Sequence, residues 1–378
     1  MCKYSPTTTI KLINFSRMMH TKLLLSFLLL SSSLLAQVQR KGIEEKDRKP
    51  VVQDQFIYET APFPECHAST IVETPKGLVA AWFGGTREGY KDVNIYTSRY
   101  EKGKWSVPAM AADGFVNDTT RYACYNPVLY LAENKELLLF YKIGPNVQGW
   151  TGWMKRSSDL GKTWSNAEAL PEGILGPIRN QPYLADGLLI CPSSTEKGGW
   201  KVHFEFTPDN GKTWSKGQDL NDANPITGIQ PAIIRHDAST LQALCRSQNR
   251  TINETWSYDN GKTWTPLRQT EMPNNNSGID AITLKDGRHL LVYNNVKPPS
   301  SEKEGWGGRS PLNVAISNDG KHWEPYAILE NEPGVEFSYP FVIQTKDGKI
   351  HITYTWKRKK IKHVILTAPP PTEHPTKI

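Results

Sequence analysis

The 378-residue sequence lacks most of the features that indicate a helical, metal-binding or nucleotide-binding protein. No long stretch carries apolar residues at the 3.6-residue period of a surface helix, so we expect an almost entirely β structure. There is no metal motif and no nucleotide loop, so we expect neither a metal nor a cofactor. Cysteine is scarce, and the absence of a C-x-x-C pair argues against a zinc site. The pattern leaves disulfides and buried free thiols both open for Cys66, Cys124, Cys191 and Cys245.

The N-terminal segment accounts for much of the basic charge. The apolar stretch Leu23–Leu35 follows Lys22 and precedes Ala36, which predicts a secretory signal peptide within residues 1–36. The stretch is too short for a secure membrane span, although a membrane anchor is the alternative. Residues 1–36 hold four basic residues and no acidic ones, so their removal lowers the formal charge from +7 to +3. We therefore predict a secreted or periplasmic protein with no stable membrane span and no nucleic-acid partner.

A short repeat recurs along the chain and predicts a hairpin turn. Its aspartate can accept hydrogen bonds from backbone N–H groups of its own turn, and its glycine can adopt a positive φ. We expect the following threonine and tryptophan to begin the return strand, with the indole packed into the sheet. The three near-identical copies, one shortened copy and one decayed copy are Ser157–Trp164, Thr207–Trp214, Ser257–Trp264, Ser317–Trp323 and Ser98–Trp105.

A second repeat consists of a polar residue, then proline or alanine, then an apolar run. Its six copies predict the innermost strands of a six-bladed β-propeller, with the first residue of each copy facing the central axis. The last blade lacks one strand, and we expect Gln55–Glu59 to supply it and close the ring. The first residues of the six copies are His67, Asn126, Gln181, Gln230, Asp280 and Tyr339.

These patterns divide the chain into four segments. Residues 1–36 form an N-terminal extension and signal peptide, and residues 37–54 form a polar leader. The all-β propeller spans residues 55–367, and residues 368–378 form a proline-rich tail. The basic run Lys357–Lys360 is predicted to be a solvated hairpin tip.

The Asp-turn-Trp repeats resemble the Asp boxes of the sialidase superfamily, over about residues 55–367. The stretches Cys66–Glu73 and Phe337–Pro340 resemble more closely a bacterial sialidase-like group described as predicted neuraminidases. The resemblance implies a propeller whose Asp boxes lie on the face away from the active site. It also implies an exo-acting glycoside hydrolase that removes a terminal acidic sugar from a glycan.

Sialidases hold the substrate carboxylate with three arginines, and use an aspartate as general acid and a tyrosine nucleophile activated by a glutamate. The resemblance places the second and third arginines at Arg246 and Arg309, and the acid at Asp92. The other three positions depart from the family, because they hold His67 for the first arginine, Gln230 for the glutamate and Phe337 for the nucleophile. Tyr339 lies two residues beyond Phe337, so we expect it on the same face of the strand.

The candidate residues fall into two groups. The predicted catalytic residues include an acid, a histidine and the phenol nearest the axis, with Glu88 and Glu336 as rival carboxylates. The predicted substrate-binding residues are mainly arginines that could converge on one carboxylate. The catalytic candidates are Asp92, His67, Tyr339 and Asp280. The substrate-binding candidates are Arg246, Arg309, Arg179, Arg87, Gln230 and Asn126.

Two other classes of function stay open on the sequence. In a polysaccharide lyase, His67 or Tyr339 would remove the proton beside a uronate carboxylate that the arginines neutralise. In a non-catalytic glycan-binding propeller the same pocket would bind without turnover, and Phe337 and Gln230 favour that interpretation. An acidic glycan is the expected partner in all three cases.

Overall fold

The computed structural model describes residue 46 and residues 49–370 of the chain. The predicted signal peptide, most of the polar leader and the end of the proline-rich tail lie outside these residues, and so do the predictions made for them. Within the described residues, no helix is long and apolar enough to cross a membrane. In the same part of the chain, no cluster of three histidine, cysteine or acidic side chains could hold a metal ion.

The described residues form 25 β-strands in six antiparallel sheets, which confirms an all-β, six-bladed propeller. The first blade comprises β2 Glu65–Thr74, β3 Gly77–Gly85, β4 Asn94–Glu101, β5 Lys104–Trp105 and β6 Ala109–Ala112. The second comprises β7 Ala123–Leu131, β8 Leu137–Gly144, β9 Thr151–Ser157 and β10 Glu168–Ala169. The third comprises β11 Tyr183–Ala185, β12 Leu188–Thr195, β13 Lys201–Thr207 and β14 Ser215–Lys216. The fourth blade comprises β15 Ile229–Arg235, β16 Leu241–Arg246, β17 Thr251–Ser257 and β18 Arg268–Pro273. The fifth comprises β19 Asp280–Thr283, β20 His289–Tyr293, β21 Leu312–Ser317 and β22 Glu324–Glu330. The sixth comprises β23 Phe337–Gln344, β24 Ile350–Trp356, β25 Lys360–Leu366 and β1 Val51–Phe56.

The ring is closed by the N-terminal strand, as predicted. Strand β1 pairs antiparallel with β25 and completes the last blade, and β23 contacts β2 of the first blade. The strand is Val51–Phe56 rather than the expected Gln55–Glu59. Beyond it the chain already turns to the first blade, where Tyr58 stacks on Trp82 with ring centroids 5.2 Å apart.

The Asp boxes are turns fixed by their own side chains. The Asp259 carboxylate accepts hydrogen bonds from the backbone N–H of Thr263 at 2.8 Å and from its hydroxyl at 2.6 Å. Thr263 therefore belongs to the turn, and the prediction that it begins the return strand is wrong, since β18 starts at Arg268. Gly261 has a φ of 86°, and Trp264 stacks on Phe204 of the preceding blade with centroids 3.9 Å apart.

Four inner strands begin with a two-residue bulge. The pairing register shifts at Ala68, Asn126, Gln230 and Tyr339, and each of these residues has a positive φ, between 38° and 57°. A bulge re-aims a side chain that regular alternation would direct elsewhere. The bulge position of the first blade is Ala68, so the second repeat was aligned one residue too early there, at His67.

The four cysteines of the described residues are free and buried. The Cys66 thiol accepts a hydrogen bond from the Tyr58 hydroxyl at 3.0 Å. Burial raises the pKa of Cys66 to about 12, so it is a protonated thiol at neutral pH. Of the two alternatives left open by the sequence, buried thiols are the one observed.

Candidate active site

The candidate site lies at the end of the propeller opposite the Asp boxes. In the fourth blade the box follows Ser257, which pairs with Leu241 at one end of the sheet. Arg246 pairs with Ile229 at the other end. An open pocket of about 540 Å³ marks this face, and its walls come from the loop before β21, the loop before β23 and the β24–β25 hairpin. Its lining residues include Trp306, Arg309, Glu336 and Arg358.

Tyr339 occupies the centre of this face. Arg246 donates a hydrogen bond to its hydroxyl oxygen at 2.6 Å. The guanidinium carbons of Arg179, Arg309 and Arg246 lie 5.0, 5.7 and 5.8 Å from the centroid of the tyrosine ring. The ring of His67 lies 4.0 Å away, centroid to centroid. Two arginines from the family motif and two axial aromatic residues are thus brought together.

Phe337 does not face the site. It is fully buried in the core of the last two blades and packs against Trp356. The expectation that Phe337 and Tyr339 share one face is wrong, because the bulge at Tyr339 interrupts the strand's alternation. Of these two residues, Tyr339 is therefore the one that contacts the arginine cluster.

A carboxylate holds two arginines at the rim. One oxygen of Glu336 accepts hydrogen bonds from Arg309 at 2.8 Å, Arg358 at 2.9 Å and Ser338 at 2.5 Å. Burial opposes ionisation of Glu336, but Arg309 and Arg358 hold its pKa below the ordinary value. Arg358 also donates to Glu88 at 2.6 Å, so it is not the solvated hairpin residue that the basic run predicted.

His67 is an uncharged group inside a cluster of cations. Its side chain is 2% exposed, and Nδ1 lies 2.9 Å from the hydroxyl of Thr355 and 3.9 Å from Glu336. Burial lowers its pKa well below the ordinary value, and the charge of Arg358 acts in the same direction. Neutral His67 can accept or donate a hydrogen bond, but it adds no positive charge to an anion site.

Arg246 is positioned by an asparagine that sequence reasoning missed, and it lies beside two loop tryptophans that the sequence offered as residues able to stack on a sugar. Its Nε donates to the side-chain oxygen of Asn276 at 3.0 Å, and Asn276 is fully buried. Its guanidinium carbon lies 4.9 Å from the ring of Trp200 and 5.8 Å from that of Trp306. Three consecutive asparagines, residues 274–276, were the available signal in the sequence. The two loop tryptophans are here part of the site.

Arg179 is held by backbone groups of neighbouring inner strands. It is 1% exposed and donates to the carbonyl oxygens of Ile279, at 3.1 Å, and of Pro340. Its guanidinium lies against the Tyr339 ring. Its hydrogen bonds to the two carbonyl oxygens connect three blades. Arg179 therefore contributes positive charge to the site from below.

Asp280 is a buried junction between blades. Its two carboxylate oxygens accept from Asn180 at 2.6 Å and from the backbone N–H of Val342 at 2.8 Å. Burial raises its pKa to about 6. It also lines a separate depression of about 440 Å³ that includes Gln181, whose own side chain is exposed. The blade-3 residue bonded at the axis is thus Asn180, not Gln181.

The β3–β4 loop presents one carboxylate to the arginine cluster. Asp92 accepts from the N–H of Thr86 at 2.9 Å and from its hydroxyl at 2.7 Å, which caps the loop. Glu88 reaches Arg358, and Arg87 is exposed. In this conformation Glu88, rather than Asp92, contacts the cluster.

The remaining predicted ligands lie on other bulges. The amide nitrogen of Gln230 approaches the Tyr339 hydroxyl at 3.4 Å, so the group beside the phenol there is a neutral amide. Asn126 is 5% exposed at the bulge of the second blade. Sequence reasoning also missed Glu196, whose pKa is raised by burial and lowered in part by Arg246. Its loop position, outside both repeats, gave no signal.

A closed six-bladed propeller with Asp boxes on one face and an arginine–tyrosine cluster on the other defines a protein of the sialidase superfamily. The chain belongs to the BNR repeat-like domain family, which it matches over residues 76–352.

Sialidases are among the proteins whose sequences resemble this chain at low identity. The sequence is 26% identical over 238 residues to a sialidase from Paraclostridium sordellii, a match that covers 54% of this chain and 56% of that protein. The chain thus spans about half the length of this curated relative. The structure resembles a protein of unknown function from Dyadobacter fermentans, with a TM-score of 0.68, 17% identity and coverage of 84% of this chain and 99% of that one. It also resembles the intramolecular trans-sialidase of Ruminococcus gnavus, with a TM-score of 0.63, 15% identity and coverage of 86% and 98%. At these identities the structural likeness shows the fold alone.

Proposed function

We propose that the protein is an exported, exo-acting glycoside hydrolase that removes a terminal acidic sugar, sialic acid or a related one, from glycans. The observation that carries this proposal is the Tyr339 hydroxyl, held by Arg246 at 2.6 Å inside a cluster of arginines. A buried phenol clustered with several guanidinium groups, beside a pocket lined by Arg309 and Arg358, suits a substrate that has both a carboxylate and an electrophilic anomeric carbon.

The substrate carboxylate would bind to Arg246 and Arg309. Hydrogen bonds between guanidinium and carboxylate are charge-assisted and can be bidentate, which makes them strong and directional. Arg179 supports this field from beneath the Tyr339 ring. Trp306, which is 44% exposed beside both arginines, would cover one face of the sugar.

In the chemical step, the Tyr339 oxygen would attack the anomeric carbon while the glycosidic oxygen leaves with a proton from a carboxylic acid. Arg246 would stabilise the negative charge that forms on the tyrosine oxygen as its proton leaves. Water would then attack the same carbon and give its proton to the carboxylate, while the Tyr339 oxygen leaves the sugar and recovers its proton from the group that accepted it. We propose Asp92 as the acid, with Glu88 as the alternative.

The phenol proton needs an acceptor, and the amide of Gln230 cannot take it. His67 is the neutral base beside the tyrosine ring. Burial is the main cause of the low pKa of His67 and the arginine charges add to it; a bound carboxylate would offset the arginine charges and so raise that pKa in part. We therefore assign the acceptor role to His67.

The direct test is turnover by the purified protein on sialyl-oligosaccharides and on other glycans with terminal acidic sugars. Release of the free terminal sugar would support the hydrolase. If no acidic sugar is released from any substrate, the proposal is wrong.

The acid can be identified with two matched variants, Asp92→Asn and Glu88→Gln. Loss of the true acid should slow natural glycosides by roughly 100-fold or more, because acid catalysis typically contributes that much. An aryl glycoside with a good leaving group should be affected far less. If only Glu88→Gln shows this dependence on the leaving group, the acid is Glu88 and not Asp92.

A lyase is the second candidate, and Gln230 favours it. Without a carboxylate beside Tyr339, the phenol is less suited to attack than in the family pattern, whereas His67 or Tyr339 could still remove a proton beside a neutralised uronate carboxylate. The proton would go to the base and the 4-linked oxygen would leave, which creates a double bond. Ultraviolet absorbance that rises on uronate glycans, without hydrolytic release, would favour the lyase.

A further inference from the structure

The site contains a fourth arginine that neither repeat predicts. Arg358 lies in the hairpin between β24 and β25 and has a φ of 58°. Its carbonyl oxygen accepts from the N–H of Cys66 at 2.9 Å, which fixes the hairpin beside the start of β2. The side chain is 26% exposed, so it reaches from the hairpin into the pocket rather than into solvent.

Arg358 and Arg179 differ in what they can offer a ligand. Arg179 is 1% exposed, and its guanidinium donates hydrogen bonds to the backbone carbonyl oxygens of Ile279 and Pro340. Arg358 lines the open pocket, and its guanidinium pairs with two carboxylates, Glu336 at 2.9 Å and Glu88 at 2.6 Å. A carboxylate partner at a pocket rim can be exchanged for the carboxylate of a ligand, whereas buried backbone carbonyls cannot.

Arg358 also supplies the charge that is missing at His67. The hairpin bond to Cys66 places Arg358 next to the residue before His67. Among charged groups, Arg358 exerts the largest effect on His67. A cation therefore stands near His67, although it comes from another blade.

We propose that Arg358 is the third anion-binding arginine of this site, together with Arg246 and Arg309, and that it determines the preference for acidic sugars. This inference rests on the proposed function. The ligand carboxylate replaces Glu88 on Arg358, while Glu336, which has three donors on one oxygen, stays and orients Arg309 and Arg358. Glu88 is 38% exposed and lies on a loop, so it is the partner that can leave.

The test compares dissociation constants for an acid and its uncharged ester. Isothermal titration would use N-acetylneuraminic acid and D-glucuronic acid, each with its methyl ester. Arg358→Gln should weaken binding of the preferred acid by roughly 10–100-fold, the size of a lost charge-assisted hydrogen bond, and leave the ester within about twofold. Arg358→Lys should fall between, since it keeps the charge but not the planar fork.

Lys359→Ala is the matched control, because Lys359 lies on the same hairpin, is 58% exposed and pairs only loosely with Glu65 at 3.8 Å. It should bind like the native protein. Glu88→Gln separates ligand binding from loop support, since removing the competing carboxylate should leave acid binding equal or tighter. If Glu88→Gln weakens binding as much as Arg358→Gln does, Arg358 merely holds the loop, and the inference is wrong.

Two further outcomes are distinguishable. If the native protein prefers the acid to the ester and Arg358→Gln keeps that preference, this inference fails while the proposed function stands. If the native protein binds neither acid better than its ester, the proposed function fails and this inference fails with it. If circular dichroism shows that Arg358→Gln does not fold, the ratio of acid affinity to ester affinity is measured in Arg358→Lys instead. A ratio equal to that of the native protein would contradict the inference.

Discussion

The two faces of the propeller use polar residues in opposite ways. On the Asp-box face, Asp159, Asp209 and Asp259 are half-buried, and each carboxylate accepts from the threonine four residues further along the chain. On the site face, charged groups are buried and bond partners from other blades, as Arg246 and Tyr339 do. The repeated residues thus build the scaffold, and the residues that differ between repeats build the site.

The bulges make the same contrast within the inner strands. Four blades share a bulge of similar backbone geometry, yet its residue is alanine, asparagine, glutamine or tyrosine. Among these four residues only the phenol accepts a hydrogen bond from Arg246. The contacts made at this position thus depend on the side chain, because the backbone is similar in all four blades.

The largest effect should follow loss of one oxygen at the site. Tyr339→Phe keeps the ring that contacts His67 and the arginines, so the fold should be retained. We expect kcat to fall roughly a thousandfold or more, because the attacking oxygen is gone. Steady-state kinetics beside a thermal unfolding curve would measure this. A variant with native kcat would show that the phenol is not the nucleophile.

Arg309→Ala should have the next largest effect. Loss of a charge-assisted contact to the substrate carboxylate should lower kcat/KM by roughly 10–100-fold, with little change in Tm. Arg268→Ala is a fair control, because Arg268 also pairs with a glutamate, Glu254 at 2.7 Å, but lies on the outer strand of a blade. Equal losses in both variants would contradict a carboxylate role for Arg309.

The scaffold could be predicted from the sequence because its determinants are local. An aspartate, a glycine and a tryptophan within eight residues fix each box, and six apolar strands with turns fix the blade number. The site depends instead on contacts between distant residues. Arg358 pairs with Glu88, which lies 270 positions away in the sequence, and no local sequence pattern predicts that contact.

Register explains the other errors. A two-residue bulge changes which side chains face the axis, so counting by twos from Phe337 gave the wrong face for it. In the first blade the same bulge lies at Ala68, one residue beyond the repeat's assumed start. The bulges depend on backbone conformations that ordinary residues adopt here only because the closed ring imposes them.

Part of the pH dependence of stability should come from histidines at the ring closure, in addition to the part that comes from His67 and His289, whose pKa values burial also lowers. His351 and His363 lie 2.9 Å apart, nitrogen to nitrogen, and the second nitrogen of His363 is within 3.3 Å of Gln55 and Trp105. Burial lowers the pKa of His351 to about 4 and that of His363 to about 3, against about 6.5 in the unfolded chain. Asp347 and Lys349 act on His351 in opposite directions.

The sign follows from proton binding. Below about pH 6.5 these two histidines bind protons in the unfolded chain but stay neutral in the folded protein. The free energy of unfolding should therefore fall as the pH drops from about 6.5 to 4. The double variant His351→Asn/His363→Gln should reduce this fall by at least about 1 kcal/mol. Urea midpoints at pH 7.5 and 4.5 would measure it, and an unchanged difference between them would contradict the assignment.

The smallest effect, and the sharpest test of the contrast between faces, is Asp259→Ala. It removes the acceptor for both donors of Thr263, so stability should fall by about 1 kcal/mol, while kcat and KM stay native because the turn lies at the far end of the blade. Asp209→Ala should behave alike, since its turn makes the same bonds, and the two losses of stability should add because the turns belong to different blades.

The contribution of these aspartates should also have its own pH dependence. Hydrogen bonds to these carboxylates hold the pKa of each below its ordinary value despite some burial, so their contribution to stability should be lost only below about pH 4, outside the range from about pH 6.5 to 4 in which the histidines act. A large loss of activity at native stability would mean that the Asp-box face also takes part in function, and the division of labour between the two faces would then be wrong.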